Sequence, residues 1–363
     1  MKLQVTQENL SKALGSVARV ASSRGTLPIL SNVLLKTVDG RLSIAATNLD
    51  IAITHYIGSK VGNEGSITVP ARLMQDFVSS LPSGVIELTL EDLKLHINAE
   101  KYQSVINGVS AEDYPIMPAI TEGVSWNINA KLLKQALQQV VVAASNDEAR
   151  PVLTGVYWHT YEGKLYMVAT DSYRLAEKAL VSMEQEVNLL IPANALQDLL
   201  RIIGDYDEDV VVKHDDQQVL FVVGDVELVA RLIEGKYPDY RKLIPQSFAS
   251  EAVLKKSDLT NITKVSSLFA RESAGSVTIN LDAAEQQVSI RSIASQIGEN
   301  TASAVATISD EGSITLNSRY ILDALHAFSG DEVRLAFNGK LEPCILADPK
   351  ASDYLHVVMP LKS

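Results

Sequence analysis

The chain has 363 residues, with 32 basic and 44 acidic side chains, a formal net charge of −12, and 46% hydrophobic residues. That is ordinary for a folded protein and enough for two or three domains with their own cores. The single cysteine, Cys344, rules out an intramolecular disulfide and is expected as a small buried residue, and the acidic balance counts against nucleic-acid binding unless charge is unevenly distributed.

Residues 1–8 carry no apolar leader core, and no apolar run approaches the roughly 20 residues that cross a bilayer, so a cytoplasmic protein without a membrane partner is expected. Residues 7–20 place Leu10, Leu14, Val17 and Ala18 on one helical face. Residues 34–37 and 42–45 read as a hairpin about Asp39-Gly40. Pro70 announces a helix at 71–80, and a joint is expected near Glu122-Gly123. A helix at 130–144, a hairpin about Glu162-Gly163, and a helix at 193–203 entered through Pro192 follow in the same order. Residues 210–213 and 219–223 flank a turn at Asp215-Asp216, a second joint lies at 245–250, and two further helices span 255–271 and 318–329.

The order recurs because the sequence recurs. Leu42-Ser43-Ile44-Ala45-Ala46-Thr47-Asn48 matches Leu165-Tyr166-Met167-Val168-Ala169-Thr170-Asp171 at an offset of 123 residues, and Asp113-Tyr114-Pro115 echoes Lys236-Tyr237-Pro238 at the same offset. Gly312-Ser313-Ile314-Thr315-Leu316-Asn317 resembles Gly65-Ser66-Ile67-Thr68-Val69-Pro70 at 247, twice the period. Solenoid repeats run at about 20–50 residues, so this period means three homologous domains, at 1–122, 123–248 and 249–363, of class α+β. Each would open on a helix and carry two helices on antiparallel sheet.

The six expected helices hold 11 basic and 5 acidic residues, a net +6 that leaves −18 for the remainder. Helices sharing one face would make it positive on an acidic body, suited to the phosphates of duplex DNA without reading bases. Cations near helix C-termini account for the same bias equally well. No phosphate loop, Cys-x-x-Cys, His-Glu-x-x-His or Gly-x-Ser-x-Gly is present, and the six histidines lack ligand spacing. Neither catalytic nor metal-ligating residues nor a cofactor is expected; the pairs Asp215-Asp216 and Glu91-Asp92 read as turns. The end Met359-Pro360-Leu361 is unusually apolar, as a peptide pocket or an edge strand would need.

Several strings resemble the bacterial sliding clamp family, the beta subunits of the DNA polymerase III holoenzyme. They are Arg24-Gly25-Thr26-Leu27-Pro28-Ile29-Leu30, Arg150-Pro151-Val152-Leu153-Thr154-Gly155, Ala169-Thr170-Asp171-Ser172-Tyr173-Arg174-Leu175-Ala176, Tyr237-Pro238-Asp239-Tyr240-Arg241-Lys242-Leu243-Ile244-Pro245 and Val357-Val358-Met359-Pro360-Leu361. The likeness covers the whole chain and is weakest in the body of the third domain. It implies a non-catalytic processivity factor: a homodimeric ring of six domains that encircles double-stranded DNA, slides, and tethers the replicative polymerase catalytic subunit, the clamp loader and other clamp-binding-motif proteins. Arg24 falls in the family's DNA-contacting loop and Arg72 and Arg201 on inner helices; Lys131, Lys134, Lys255, Lys264 and Arg319 are the further helix cations expected to face DNA. The loop Asn146-Asp147-Glu148 departs from the family by being acidic, and Ala193 stands where some members are basic. The resemblance also implies a peptide pocket lined by Leu153, Thr170, Tyr173, Arg174 and Leu175, by Pro238, Lys242 and Leu243, and by Pro343, Val358, Met359, Pro360 and Leu361, with Tyr173 and Lys242 at variable positions. Ile106, Leu268 and Phe269 match the apolar positions of the ring-closing interface; ordinary core packing explains them equally well.

Overall fold

Three strands precede the three leading helices, so the expectation that each repeat opens on a helix does not hold. They are Lys2–Thr6, Val124–Asn129 and Ser250–Lys255, and only one to three side chains of each point inward. Such a short alternation has little periodic signal of its own; the strands are defined by the neighbours that supply their hydrogen bonds. In this computed structural model, residues 1–21, 27–294 and 298–361 are described. Arg24 therefore lies outside the described residues.

The helices are α1 (Gln7–Val17), α2 (Ala71–Ser80), α3 (Ala130–Val140), α4 (Ala193–Ile203), α5 (Lys256–Phe269) and α6 (Ser318–Ala327). In α1 the Thr6 hydroxyl accepts from the Asn9 amide at 3.3 Å, and Leu10, Ala13, Leu14 and Val17 form one buried stripe. Pro70 and Pro192 end the strands that lead directly into α2 and α4, as expected. The ends of α1, α3, α5 and α6 fall two to four residues short of the expected ones, because tight turns take over: residues 141–143 and 271–273 are single turns of 3₁₀ helix.

The chain forms two compact units. One comprises residues 1–131 and 194–232, the other 132–193 and 233–363. In the first, an eight-stranded antiparallel sheet joins strands of the first and middle thirds. Its central pairing is Val226–Arg231 against Ile51–Gly58, with His55 opposite Val226. A five-stranded sheet has Tyr102–Asn107 at one edge. In the second unit a nine-stranded sheet joins the middle and last thirds through Arg174–Ser182 against Ala351–Val358, and a four-stranded sheet has Gly298–Val305 at its edge.

The repeat is visible atom by atom. Thr47 Oγ1 donates to the Ile51 carbonyl at 3.0 Å, and Thr170 Oγ1 to the Arg174 carbonyl at 2.6 Å. Asn48 Oδ1 accepts from the amides of Asp50 and Ile51, and Asp171 Oδ1 from those of Tyr173 and Arg174. The residues between, Leu49 and Ser172, both take left-handed backbone at φ 79° and 78°. At the expected joint, Gly123 has φ +153°, and a Cβ there would come within 2.3 Å of the His214 carbonyl oxygen, so only glycine permits the strand to close on its neighbour.

His356 lies wholly inside the second unit, with Nδ1 3.1 Å from the Tyr354 hydroxyl, which itself donates to the Gln139 carbonyl at 3.2 Å. Burial, then the Arg174 charge, lowers its pKa from 6.5 to about 3; burial, then Lys12, takes His55 to about 4. Folded values below the unfolded one mean that stability is complete above about pH 6.5 and drains away as pH falls through the folded values. The free energy of urea unfolding should therefore drop between pH 7 and pH 4, and the drop should be smaller by a few kcal/mol in His356→Leu; equal drops in both proteins would contradict the assignment.

Candidate functional site

The turn Thr170-Asp171-Ser172-Tyr173 brings Arg174 to the start of its strand with its guanidinium held on three sides. Nε lies 3.1 Å from Asp171 Oδ2, Nη1 lies 2.6 Å from Asp323 Oδ2 on α6, and the guanidinium carbon sits 4.6 Å from the Tyr320 ring centre. Val358 pairs with Arg174 across the sheet and with Cys344, the residue after Pro343, on its other side. Beyond the strand, the Met359 amide donates to the Tyr173 carbonyl and the Leu361 amide to the Thr315 carbonyl, both at 2.8 Å. The apolar tail is thus pinned at two points while Met359, Pro360 and Leu361 stay partly exposed.

On one face of the nine-stranded sheet, Leu153, Val168, Leu175, Tyr237, Tyr240, Ile345 and Val357 form one buried cluster. The segment carrying Pro238, Lys242 and Leu243 is moored there by its tyrosines and leaves those three side chains exposed. Tyr173 (58% exposed) and Leu243 (49%) are the large apolar side chains offered to solvent from this expected set, while Leu153, Thr170 and Leu175 are buried. Lys242 is held by Asp239 at 2.7 Å.

Sequence reasoning did not single out the group that moors this segment. The Tyr240 hydroxyl donates to the Glu177 carboxylate and lies 2.8 Å from His159 Nε2. Arg241 packs over Tyr161 at 3.9 Å and Tyr166 at 4.6 Å. Burial and the Arg241 charge hold His159 near pKa 4, so it stays neutral. The recurrence of Tyr157, His159 and Tyr161 at alternate positions of one strand is the signal that marks this face.

The expected cations fall into two groups. Arg72, Lys131 and Arg201, in the first unit, each face an aspartate: Asp76 at 4.0 Å, Asp207 at 4.0 Å and Asp198 at 2.6 Å. Arg201, Arg19 and Lys12 line a cleft of about 870 Å³ together with Asp198, His55, Tyr206 and Asp225. In the second unit, Lys255, Lys264 and Arg319 are exposed and Lys134 is partly buried. Because Arg19, Lys255 and Arg271 fall just outside the observed helices, the helices hold 8 basic and 5 acidic residues, a smaller excess than expected. In the acidic loop, Asp147 turns onto Arg150 at 3.6 Å, and Arg150 donates to the Ser172 hydroxyl at 3.0 Å.

At the sheet edges, Ile106 turns inward on Tyr102–Asn107, whose exposed large apolar side chains are Tyr102 and Val105; Leu268 is 53% exposed on α5 and Phe269 is partly buried. Cys344 is buried, which pushes its thiol up to about 12. Among the described residues no three His, Cys, Asp or Glu side chains form a metal-binding group, and no helix is long and apolar enough to cross a membrane. Asp215 accepts from the amides of Gln217 and Gln218 at 2.8 Å, which holds its carboxyl below the usual range and accounts for it as a turn residue.

Removing Arg174 would leave Asp171 and Asp323 facing each other without their cation. Arg174→Ala should cost about 3 kcal/mol in urea unfolding, and Arg174→Lys should restore only part, since an ammonium lacks the two-pronged fork. Full recovery with lysine would show that charge alone matters there.

Family models of the DNA polymerase III beta subunit match the chain in three consecutive pieces: the N-terminal domain over residues 1–118, the central domain over 127–239 and the C-terminal domain over 241–362. The Beta sliding clamp of Bacillus subtilis (strain 168) is 30% identical over 377 aligned positions, covering 100% of both chains. The crystal structure of the DNA polymerase sliding clamp from Bacillus subtilis superposes with a TM-score of 0.95 at 30% identity, covering 100% of this chain and 99% of that one. A DnaN sliding clamp from Bartonella birtlesii, solved bound to griselimycin, superposes with a TM-score of 0.94 at 27% identity over 100% of both chains.

Proposed function

The chain belongs to the DNA polymerase III beta subunit family, the sliding clamps, and we propose how its residues serve a DNA polymerase processivity factor. Two copies close a ring of six domains around duplex DNA, the three domains of each copy being 1–122, 123–248 and 249–363. Closure runs edge to edge: the unpaired backbone of Tyr102–Asn107 in one copy meets that of Gly298–Val305 in the other, with Tyr102, Val105 and Leu268 covered by the contact. Enclosure replaces tight binding, so cations facing the duplex need only weak, sequence-independent phosphate contacts. Arg24, Arg72, Lys131, Lys134, Arg201, Lys255, Lys264 and Arg319 are assigned that role.

The tethering site is the cleft between the Thr170–Arg174 turn, the segment after Tyr237 and the apolar tail. The observation that supports it is the double pinning of Met359 and Leu361 beside the exposed Tyr173 and Leu243. An extended segment of the replicative polymerase catalytic subunit, the clamp loader or another clamp-binding protein would lay apolar side chains there. The protein itself contributes no reaction and works in the cytoplasm; it holds the enzyme near its template and raises effective concentration.

Sedimentation should give a mass near twice 39.4 kDa, and protein loaded on circular DNA should stay bound until the circle is cut. Stable monomers, or equal loss from circles and linear DNA, would leave a peptide-binding scaffold instead of a ring. Deleting residues 359–363 should weaken binding of a polymerase-derived peptide by at least about thirtyfold, ~2 kcal/mol, without changing the sedimentation mass. Unchanged peptide affinity would place the tether elsewhere.

A further inference from the structure

Among the described residues, three cations assigned to DNA in the first unit, Arg72, Lys131 and Arg201, each face an aspartate, and not equally. Asp76 and Asp207 have side chains 72% and 67% exposed and stand 4.0 Å from Arg72 and Lys131, so water screens both pairs. Asp198 is different. Its side chain is 17% exposed, its Oδ1 lies 2.6 Å from Arg201 Nη1, and it occupies the same cleft as Arg19 and Lys12. Arg201 itself is 51% exposed, so the acid lies deep and the guanidinium looks outward.

We propose that Asp198 is an internal competitor for phosphate: it holds Arg201 from below, with Arg19 nearby, so that a DNA phosphate gains Arg201 only by sharing it with a carboxylate. The inference rests on the reading of Arg201 as DNA-facing and assigns that site its regulation. A bare arginine on a duplex releases close to one condensed counterion, and that release supplies most of sequence-independent affinity. An arginine with a carboxylate already bonded to it is half spent: the incoming phosphate meets the repulsion of Asp198 as well as the attraction of Arg201. Position Asp198 therefore sets how firmly this part of the lining grips. A ring that holds DNA by enclosure benefits from a weak grip, because each phosphate contact must break for the ring to move.

Burial pushes the Asp198 carboxyl above its ordinary 3.8, while Arg201 and Arg19 pull it back down. The acid thus depends on these two cations for the solvation it has lost, which is why it stays bonded to Arg201, with the Arg19 charge nearby, instead of turning to water.

The test uses the full chain and a fluorescent duplex, with affinity measured by anisotropy over a range of salt. Asp198→Asn keeps the shape and removes the charge. It should tighten binding about threefold to tenfold and steepen the slope of log K against log salt by about 0.9. Arg201→Ala should weaken binding, and Asp198→Asn placed on Arg201→Ala should give no gain. Asp216→Asn, on an exposed turn, changes net charge equally and should not tighten binding. Should Asp198→Asn lose the sedimentation mass of the unaltered protein, Asp198→Ser serves as the second variant. If Arg201→Ala weakens binding and neither Asp198 variant strengthens it, the competitor is overturned while the DNA reading stands. If Arg201→Ala changes nothing, the DNA reading at this helix fails and the inference with it. Equal tightening by Asp216→Asn would reduce the effect to net charge and overturn it too.

Discussion

The pairing of Arg174–Ser182 with Ala351–Val358 is the constraint on which the second unit depends. It merges strands of the middle and last thirds of the chain into one sheet, and it brings the mid-chain turn at Thr170–Arg174 beside Met359 and Leu361. Every backbone amide in that ladder needs a partner when it leaves water. The partner for the middle strand is supplied by the C-terminal strand. Arg174 reinforces the junction from the side, with carboxylates from its own turn and from α6. The candidate peptide cleft is a by-product of this arrangement: beyond Val358, where the strand ends, Met359, Pro360 and Leu361 stay partly exposed, and two hydrogen bonds hold them at the edge.

The same economy governs the segment that flanks this cleft. The segment from Tyr237 onward would be a loose connector on composition alone. Two buried tyrosines and one stacked arginine make it part of the wall. Tyr240 fits because Glu177 accepts its hydroxyl proton's hydrogen bond and His159, kept neutral by burial, completes the contact. Within it, Tyr240, Glu177 and His159 satisfy one another, which lets these polar groups lie under a surface segment. The result is a rigid rim next to side chains left free for a partner.

Charge follows a related logic. A net −12 protein that binds DNA must separate its charges in space, and α-helices do part of this here, though less than the raw count over longer helices implies. What the separation leaves on the helices is tempered by aspartates at 4.0 Å, 4.0 Å and 2.6 Å from three of the cations. In the DNA-facing role proposed for them, cations paired in this way would attract phosphates at long range and hold them weakly at contact, which suits motion along a duplex better than bare cations would.

The internal repeat, the α+β class, the helix starts at Pro70 and Pro192 and the hairpins at Asp39-Gly40 and Glu162-Gly163 were legible in the sequence, because each rests on local chemistry: φ-restricted prolines, glycines with left-handed backbone, and apolar residues at helical spacing. The leading strands, the short helix ends and the inward turn of Ile106 were not, because each is decided by a neighbour far along the chain. So was the state of the functional side chains. Residue type identifies Arg174 and Arg201 as cations, but only the fold brings Asp323, 149 residues away, against the first and buries Asp198 beneath the second. Coulomb energy depends on distance and on exclusion of water, and neither is written in the order of residues.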